Sequence, residues 1–254
     1  SAYKDASTLR QECLTKGQFI VAVLPFTSSE KGSSMASNVQ ARAMTALTEV
    51  NDPFLKVVDR ENIERILEEQ RLSLSGVVDE QTAVRVGNLM GAQAILMGTV
   101  LNYSEVPGSL RRSTKDGFEA YRVEQTNKET GEKYFATRYK PVRYSEYYQE
   151  NKVVLSFNYR LVSLETGEVL VSKVAEQEAA DHMYYATYDG NRDALVPMAN
   201  GTADLSDRAR RDMRSLLSAP REVKPVASLM NDVLRSTSTS MASHIQQELS
   251  QKLP

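Results

Sequence analysis

The residue types that most often carry out chemistry are scarce in this chain. It contains two histidines, His182 and His244, which lie far apart in the sequence and beside no nucleophile motif. No Gly-x-Ser-x-Gly elbow is present, although a Ser-His-Asp triad assembled in space stays open at this stage. The single cysteine, Cys13, can form no intramolecular disulfide and fits no zinc-ligand spacing. We therefore predict no catalytic residue, no metal ligand and no cofactor.

The loop from Thr27 to Ser34 is the segment that comes nearest to a phosphate-binding turn. It follows an apolar run, precedes a helical pattern and contains one glycine and one lysine. Helix N-terminal amides could receive a phosphate there. The loop lacks the glycine spacing of the known phosphate cradles, which favours an ordinary strand-to-helix connection. A nucleotide-binding or enzymatic α/β module is therefore the third of three functional hypotheses.

The composition is typical of a globular protein and excludes some function classes. The 254 residues are 41% apolar and 25% charged, with 31 basic and 33 acidic side chains. Nucleic-acid binding usually needs a basic excess, and none is present. No run approaches the ~18 apolar residues of a membrane-spanning helix. The chain starts at Ser1 without a methionine, from which we expect that a targeting segment was removed.

Tyrosine is the one residue type with an unusual distribution. Ten of the twelve tyrosines fall between Tyr121 and Tyr188. Tyrosine gives a large contact area at low entropic cost and is enriched at interfaces, but it also has a high strand propensity. Interface and strand decoration are therefore both open. The candidate protein-contact residues are Tyr121, Tyr134, Tyr139, Tyr144, Tyr147, Tyr148, Tyr184, Tyr185 and Tyr188.

Residues 19–104 alternate between strand and helix patterns. Apolar runs predict strands at residues 19–26, 54–58 and 94–103. Helical spacing predicts three helices, which we expect to be capped by Ser37, Asp59 and Asp79, the third ending at Gly91. The order β-α-β-α-α-β predicts an α/β (mixed α+β) fold with a layered mixed β-sheet flanked by helices.

A β-hairpin, a long C-terminal helix and two polar insertions complete the predicted organisation. Alternation predicts strands at residues 153–164 and 169–175 around a tight turn at Gly167, and Pro225 opens the final helix. The insertion at about 105–150 is interpreted as an extended hairpin that turns near residues 128–131. The insertion at about 177–222 is interpreted as irregular, with one short basic helix. We predict a flexible lead-in at residues 1–17 and a single domain at 18–254.

Several blocks of sequence recur in an order that is typical of one family. They are VAVLPF (21–26), VVDRENIERILEEQ (57–70), LSGVVD (74–79), GAQAILMGTV (91–100) and LVSLETGEVL (161–170). This succession resembles the curli production assembly/transport component (CsgG-like) lipoprotein family, over roughly residues 18–104 and 152–176. The related penicillin-binding-protein activator lipoproteins are a second parallel.

The resemblance implies an exported bacterial lipoprotein at the periplasmic, inner face of the outer membrane, held by a lipid anchor outside this sequence rather than by a spanning segment. It implies a non-enzymatic assembly, scaffold or secretion-accessory role through contacts with other envelope proteins or with itself. The family's founding member forms an outer-membrane secretion channel, so a channel subunit is the second hypothesis. Alternation along residues 134–148 places Arg138 and Lys140 on one face and Arg143 on the other. Neither face suits lipid, which favours the scaffold.

Overall fold

The structure, a computed structural model, describes residue 9 and residues 17–29, 34–50, 52–59 and 91–252. The predicted mixed α/β class with a mixed sheet is confirmed. The helices predicted between Asp59 and Gly91 lie outside the described residues, as do loop residues 30–33. The chain divides into two compact units, the first made of residues 1–105, 153–179 and 230–254, the second of 106–152 and 180–229. The single domain with a lead-in and two insertions stays a prediction.

Parallel strands form the centre of the first unit. They are β1 (Phe19–Val23), β2 (Thr27–Ser28), β3 (Leu55–Asp59) and β4 (Ala94–Val106). β1 pairs in parallel with both β3 and β4, so that Val21 lies opposite Val57 on one side and Ala94 on the other. Because β1 is apolar at every position, it suits a strand that is covered on both faces. The three strands predicted in this region are confirmed.

Helix α1 (Met35–Glu49) buries Val39, Ala43 and Leu47, as the predicted stripe requires. The expected cap at Ser37 is wrong, because the helix begins two residues earlier. Asn38 donates its backbone N–H to the Ser34 carbonyl, which closes the first turn around Ser34. Ser37 therefore lies inside that turn.

Strands β6 (Lys133–Ser163) and β7 (Val169–Thr187) pair with each other, and each contributes residues to both units. The predicted turn between them is confirmed, with Gly167 at φ +74°. The interpretation of residues 177–187 as irregular is wrong, because they continue β7. Exposed and half-buried positions alternate from Gln177 to His182, and Met183 and Ala186 are buried. Because the residues at the start of this stretch are mostly charged or polar, the two-residue alternation of a strand was not recognised in the sequence.

Helix α3 (Val226–Lys252) follows Pro225, and most of its predicted apolar stripe is buried, including Val233, Met241 and Ile245. Within the first unit it contacts β6 through the Tyr159 hydroxyl, which lies 2.9 Å from His244 Nδ1. The side chain of Tyr159 is only 1% exposed. The packing role predicted for this helix is confirmed.

The second unit is built on a long antiparallel ribbon. Its further elements are β5 (Arg111–Thr126), β8 (Leu195–Ala199), β9 (Thr202–Ala203) and α2 (Asp207–Ser218), with a strand order β6-β5-β8-β9. The predicted hairpin is confirmed, since β5 and β6 are joined by a turn that Asn127 and Glu132 close with a backbone hydrogen bond of 2.8 Å. The short basic helix predicted in the second insertion is also confirmed, as α2.

Candidate interaction surface

The β5–β6 ribbon presents two different faces. Its register is continuous from Arg111 opposite Tyr148 to Thr126 opposite Lys133. Residues directly opposite each other in an antiparallel pair share a face, and successive residues alternate. We call the face that carries Tyr144 the first face and the face that carries Tyr147 the second face. The first face also holds Tyr121, Tyr134 and Tyr148, and the second face also holds Tyr139.

Helix α2 covers part of the first face. Tyr144 is only 7% exposed and packs in one cluster with Ala186, Leu195, Met213 and Leu217. Burial, followed by the nearby carboxylate of Glu146, raises the pKa of the Tyr144 hydroxyl above its usual range. Tyr144 is therefore a neutral core residue of the second unit.

Glu146 organises the hydroxyls beside this cluster. Its side chain is buried, and its Oε2 accepts a hydrogen bond of 2.9 Å from the hydroxyl of Tyr184. Lys115 Nζ lies 3.9 Å from the same oxygen. Burial, and then this hydrogen bond, raises the pKa of Tyr184. The ring of Tyr184 is exposed, but its hydroxyl is held inside the unit.

A second tyrosine–glutamate pair lies further along the first face. The Tyr188 hydroxyl donates a hydrogen bond to Glu119 Oε2, and Lys140 Nζ lies 3.2 Å from Glu119 Oε1. The hydrogen bond from Tyr188, aided by Lys140, lowers the pKa of Glu119 despite some burial. Burial and Glu119 together raise the pKa of Tyr188 to about 12. An ionised carboxylate and a protonated tyrosine thus stabilise each other here.

The second face carries a stack of four side chains. The rings of Tyr147 and Tyr185 are parallel within 9°, with centroids 4.8 Å apart. The guanidinium of Arg112 lies 5.8 Å from the Tyr147 centroid, and that of Arg221 lies 5.3 Å from the Tyr185 centroid. Both distances suit cation–π attraction. Arg112 also donates to Ser145 Oγ at 3.0 and 3.2 Å, so this end of the stack is fixed.

Tyr148 joins a third group of side chains. Its hydroxyl donates to Glu150 Oε2 at 2.8 Å, and this hydrogen bond is the main cause that raises the pKa of Tyr148. Its ring lies edge-on to Tyr184, with centroids 6.3 Å apart, and 6.0 Å from the ring of His182. His182 therefore has an aromatic environment and no nucleophile beside it among these contacts.

The distal part of the ribbon, residues 120–139, has a different character, and we call it the arm. None of its side chains is buried. Tyr121 is 43% exposed, Tyr134 is 50% exposed and Phe135 is 66% exposed. The first two lie on the first face and Phe135 on the second, so apolar surface is exposed on both sides. Tyr139, on the second face opposite Ala120, is half-buried.

The structure thus separates the nine candidate tyrosines by environment. Tyr121, Tyr134 and Tyr139 lie in the arm, and Tyr144 lies in the core. The remaining five, which are Tyr147, Tyr148, Tyr184, Tyr185 and Tyr188, make specific contacts within the second unit. Sequence reasoning missed Phe135, which directly follows Tyr134 in the arm. It also missed Arg112, which lies opposite Tyr147 in the β5–β6 register, and Arg221, which contacts Tyr185 from the segment after α2.

A cavity of about 400 Å³ in the second unit lies beside Tyr144, Glu146 and Tyr184 and is closed by residues from the start of α2. Several of its polar groups pair with each other: the Tyr184 hydroxyl donates to Glu146 Oε2, and the Ser206 backbone N–H donates to Asp204 Oδ1. In the part of the chain that the structure describes, no three histidine, cysteine, aspartate or glutamate side chains gather as metal ligands.

The N-terminal part of the chain is similar to a known protein family. Residues 5–109 match the family Curli production assembly/transport component CsgG. The resemblance predicted from the sequence is confirmed over this segment. The second segment of resemblance, residues 152–176, lies outside the matched range. No curated protein matches the chain.

Three solved structures are distantly similar to the chain. The PelC dodecamer from Paraburkholderia phytofirmans has 9% identity and a TM-score of 0.33, covering 64% of this chain and 74% of its own. Lipoprotein GNA1162 from Neisseria meningitidis has 14% identity and a TM-score of 0.38, covering 64% and 83%. The LpoB C-terminal domain from Escherichia coli has 12% identity and a TM-score of 0.37, covering 66% and 93%. At these scores the likenesses carry no argument about function.

Of the helices in the described part of the chain, none combines the length and apolarity that a membrane crossing requires.

Proposed function

We propose that this protein is a non-enzymatic assembly component of the bacterial cell envelope, lipid-anchored at the periplasmic face of the outer membrane, that works by self-association through its arm. The family match over residues 5–109 supports the envelope and assembly part of this proposal. The contact role rests on the arm.

The exposed aromatic side chains of the arm are the observation that carries the proposal. Tyr121, Tyr134 and Phe135 each expose more than two fifths of their surface. They lie on a two-stranded ribbon with no buried side chain, and such a ribbon is only marginally stable alone in water. Large aromatic residues exposed together typically mark a contact surface. A partner that covers both faces would stabilise the arm.

The backbone of the arm also offers a place for a partner. β8 pairs with β5 only at Gly117, Phe118 and Glu119. The edge of β5 at residues 120–126 therefore has no further strand beside it among the described residues. An exposed strand edge is a template for pairing with another chain.

The charges of the arm favour a second copy of this chain over a strongly charged partner. Residues 120–139 contain four basic and three acidic side chains. Lys133 Nζ lies 2.6 Å from Glu124 Oε1, so opposite charges already neutralise each other within the arm. Two copies of a nearly neutral surface repel each other little. Other envelope proteins are the alternative partners.

The charges on the two faces of the arm do not favour the alternative of a secretion-channel subunit. The first face of the arm carries Arg138, and the second face carries Arg122 and Lys133. A strand that faces lipid has charged residues on at most one side. We therefore adopt the assembly role.

Replacing the exposed aromatics tests the proposal. In the triple variant Tyr121→Ser/Tyr134→Ser/Phe135→Ser, we expect self-association to weaken by about tenfold or more, because each buried aromatic contributes strongly to an interface. Sedimentation velocity over a range of protein concentrations measures this.

The matched control replaces three exposed apolar residues of the first unit, in the variant Leu101→Ser/Val169→Ser/Val174→Ser. It should associate like the unchanged protein. Circular dichroism should show that both variants are folded. A wild-type chain that stays monomeric at every concentration, or equal association of the two variants, would contradict the proposal.

A further inference from the structure

A second cavity of the second unit gathers positive charge at the C-terminal end of α2. It has a volume of about 700 Å³, and its charged lining residues are Arg192, Arg214, Arg221 and Asp193. We propose that this cavity binds a phosphate group, carried either by a small soluble molecule or by a lipid headgroup. The inference is independent of the role of the arm.

Contacts within the unit hold each of the three guanidiniums at the cavity. Arg192 donates from Nη2 to the Leu217 carbonyl, and Arg214 donates from Nε to the Arg210 carbonyl at 3.3 Å. Arg221 lies with its guanidinium over the ring of Tyr185, which is itself stacked on Tyr147. Each of these contacts uses one N–H or the flat face of a group that has five N–H donors. The remaining donors can receive a ligand.

The charge balance of the cavity favours an anion. Among the described residues, none of the three arginines forms an ion pair within 4.0 Å. Asp193 supplies one negative charge, and the C-terminal end of α2 supplies the equivalent of about half a charge. Three positive charges therefore exceed the negative ones by between one and two. A bound anion would offset this excess.

The number of arginines points to phosphate rather than carboxylate. A guanidinium fork can donate two parallel hydrogen bonds to a pair of oxygens. A carboxylate offers two oxygens in one plane and is filled by one or two forks. A phosphate offers three or more oxygens in a tetrahedron, which three arginines can approach from different sides. The cavity volume is within the range of sites for small organic ligands.

Binding of inorganic phosphate to the full chain, followed by calorimetry at constant ionic strength, tests the proposal. The variant Arg214→Gln/Arg221→Gln should bind about tenfold more weakly or worse, because it loses two charge-assisted partners. Arg192 is left unchanged because it also caps α2. Arg211→Gln is the matched control: Arg211 lies on the same helix, outside the cavity, and donates to the Asp207 carbonyl. The control should change affinity by less than about twofold.

Cosedimentation with vesicles distinguishes the two sources of phosphate. Vesicles of phosphatidylglycerol in phosphatidylcholine are compared with pure phosphatidylcholine, for the same variants. Arginine-dependent binding to the anionic vesicles alone assigns a lipid headgroup, and arginine-dependent binding of inorganic phosphate alone assigns a soluble ligand. The proposal is overturned if neither probe binds. It is also overturned if Arg211→Gln weakens binding as much as the cavity variant. The single variants Arg214→Gln and Arg221→Gln replace the double variant if that one does not fold.

Discussion

At the scale of the residue, buried tyrosine hydroxyls stabilise this protein through hydrogen bonds. In the first unit, Tyr159 is nearly fully buried, and its hydroxyl lies 2.9 Å from His244 Nδ1. Burial raises the pKa of Tyr159 to about 12, from an ordinary value of 10.0. The folded state thus keeps a proton on this hydroxyl at pH values where the unfolded chain releases it.

This difference predicts how stability depends on pH. Between about pH 10 and pH 12 the unfolded state binds fewer protons than the folded state, so the free energy of unfolding falls as pH rises. The contribution is fully present below pH 10 and is lost as pH rises through 12. The variant Tyr159→Phe should show a shallower fall in this window, and at neutral pH a loss of about 1 kcal/mol for the missing hydrogen bond.

Urea unfolding at several pH values measures both effects. Tyr121→Phe is the control, because it removes a hydroxyl from an exposed ring of the arm. An unchanged pH slope for Tyr159→Phe would show that this hydroxyl does not titrate as the structure requires.

Residue roles in the second unit were only partly accessible from the sequence. The clustering of tyrosines between residues 121 and 188 is visible in the sequence. The sequence does not show which of these tyrosines are buried. Tyr134 and Tyr144 lie on the same strand and the same face, yet only Tyr144 is covered by residues of α2 such as Met213. Contacts between segments so far apart in the chain leave no local pattern.

At the scale of the element, α2 depends on its N-terminal cap. Ser206 Oγ accepts a hydrogen bond of 3.2 Å from the Ala209 backbone N–H. Asp204 Oδ1 in turn accepts from the Ser206 backbone N–H at 3.0 Å, and the backbone and hydroxyl of Ser206 lower the pKa of Asp204. Together they fix the point at which the chain enters the helix that covers Tyr144.

The variant Ser206→Ala should lower the free energy of unfolding by about 1 kcal/mol, since an unsatisfied N–H remains at the helix start. Ser206→Asp is the matched rescue, because aspartate is an equally good cap. Chemical denaturation followed by circular dichroism measures the three proteins. A stability of Ser206→Ala equal to that of the unchanged protein would refute the role of the cap.

Hydrophobic periodicity in the sequence predicted some strands correctly and missed part of another. The alternation of residues 153–164 and the apolar run at 94–103 predicted their strands, because each pattern directly reflects burial. The continuation of β7 to Thr187 was missed, since residues 177–182 are mostly polar and only Met183 and Ala186 of residues 177–187 are buried. Ser37 was predicted as the cap of α1, but the helix begins at Met35, and the residue at its N-cap position, Ser34, makes no side-chain cap hydrogen bond.

At the scale of the whole molecule, the sequence predicted the fold class better than the site. The apolar runs that predicted β1 and β4 reflect burial in the first unit. The side chains of the arm are all exposed or half-buried. This exposure is visible in the structure and leaves no pattern in the sequence. Exposure of Tyr121, Tyr134 and Phe135 on both faces of one ribbon is the basis of the proposed assembly role.

Hydrogen–deuterium exchange at increasing protein concentration tests that role most directly. Pairing between copies would protect backbone amides along the free edge of β5, so peptides that cover residues 120–139 should exchange more slowly as concentration rises. Peptides that cover α2 should be unaffected and serve as the internal reference. Exchange in the arm that is equally fast at every concentration would contradict the account.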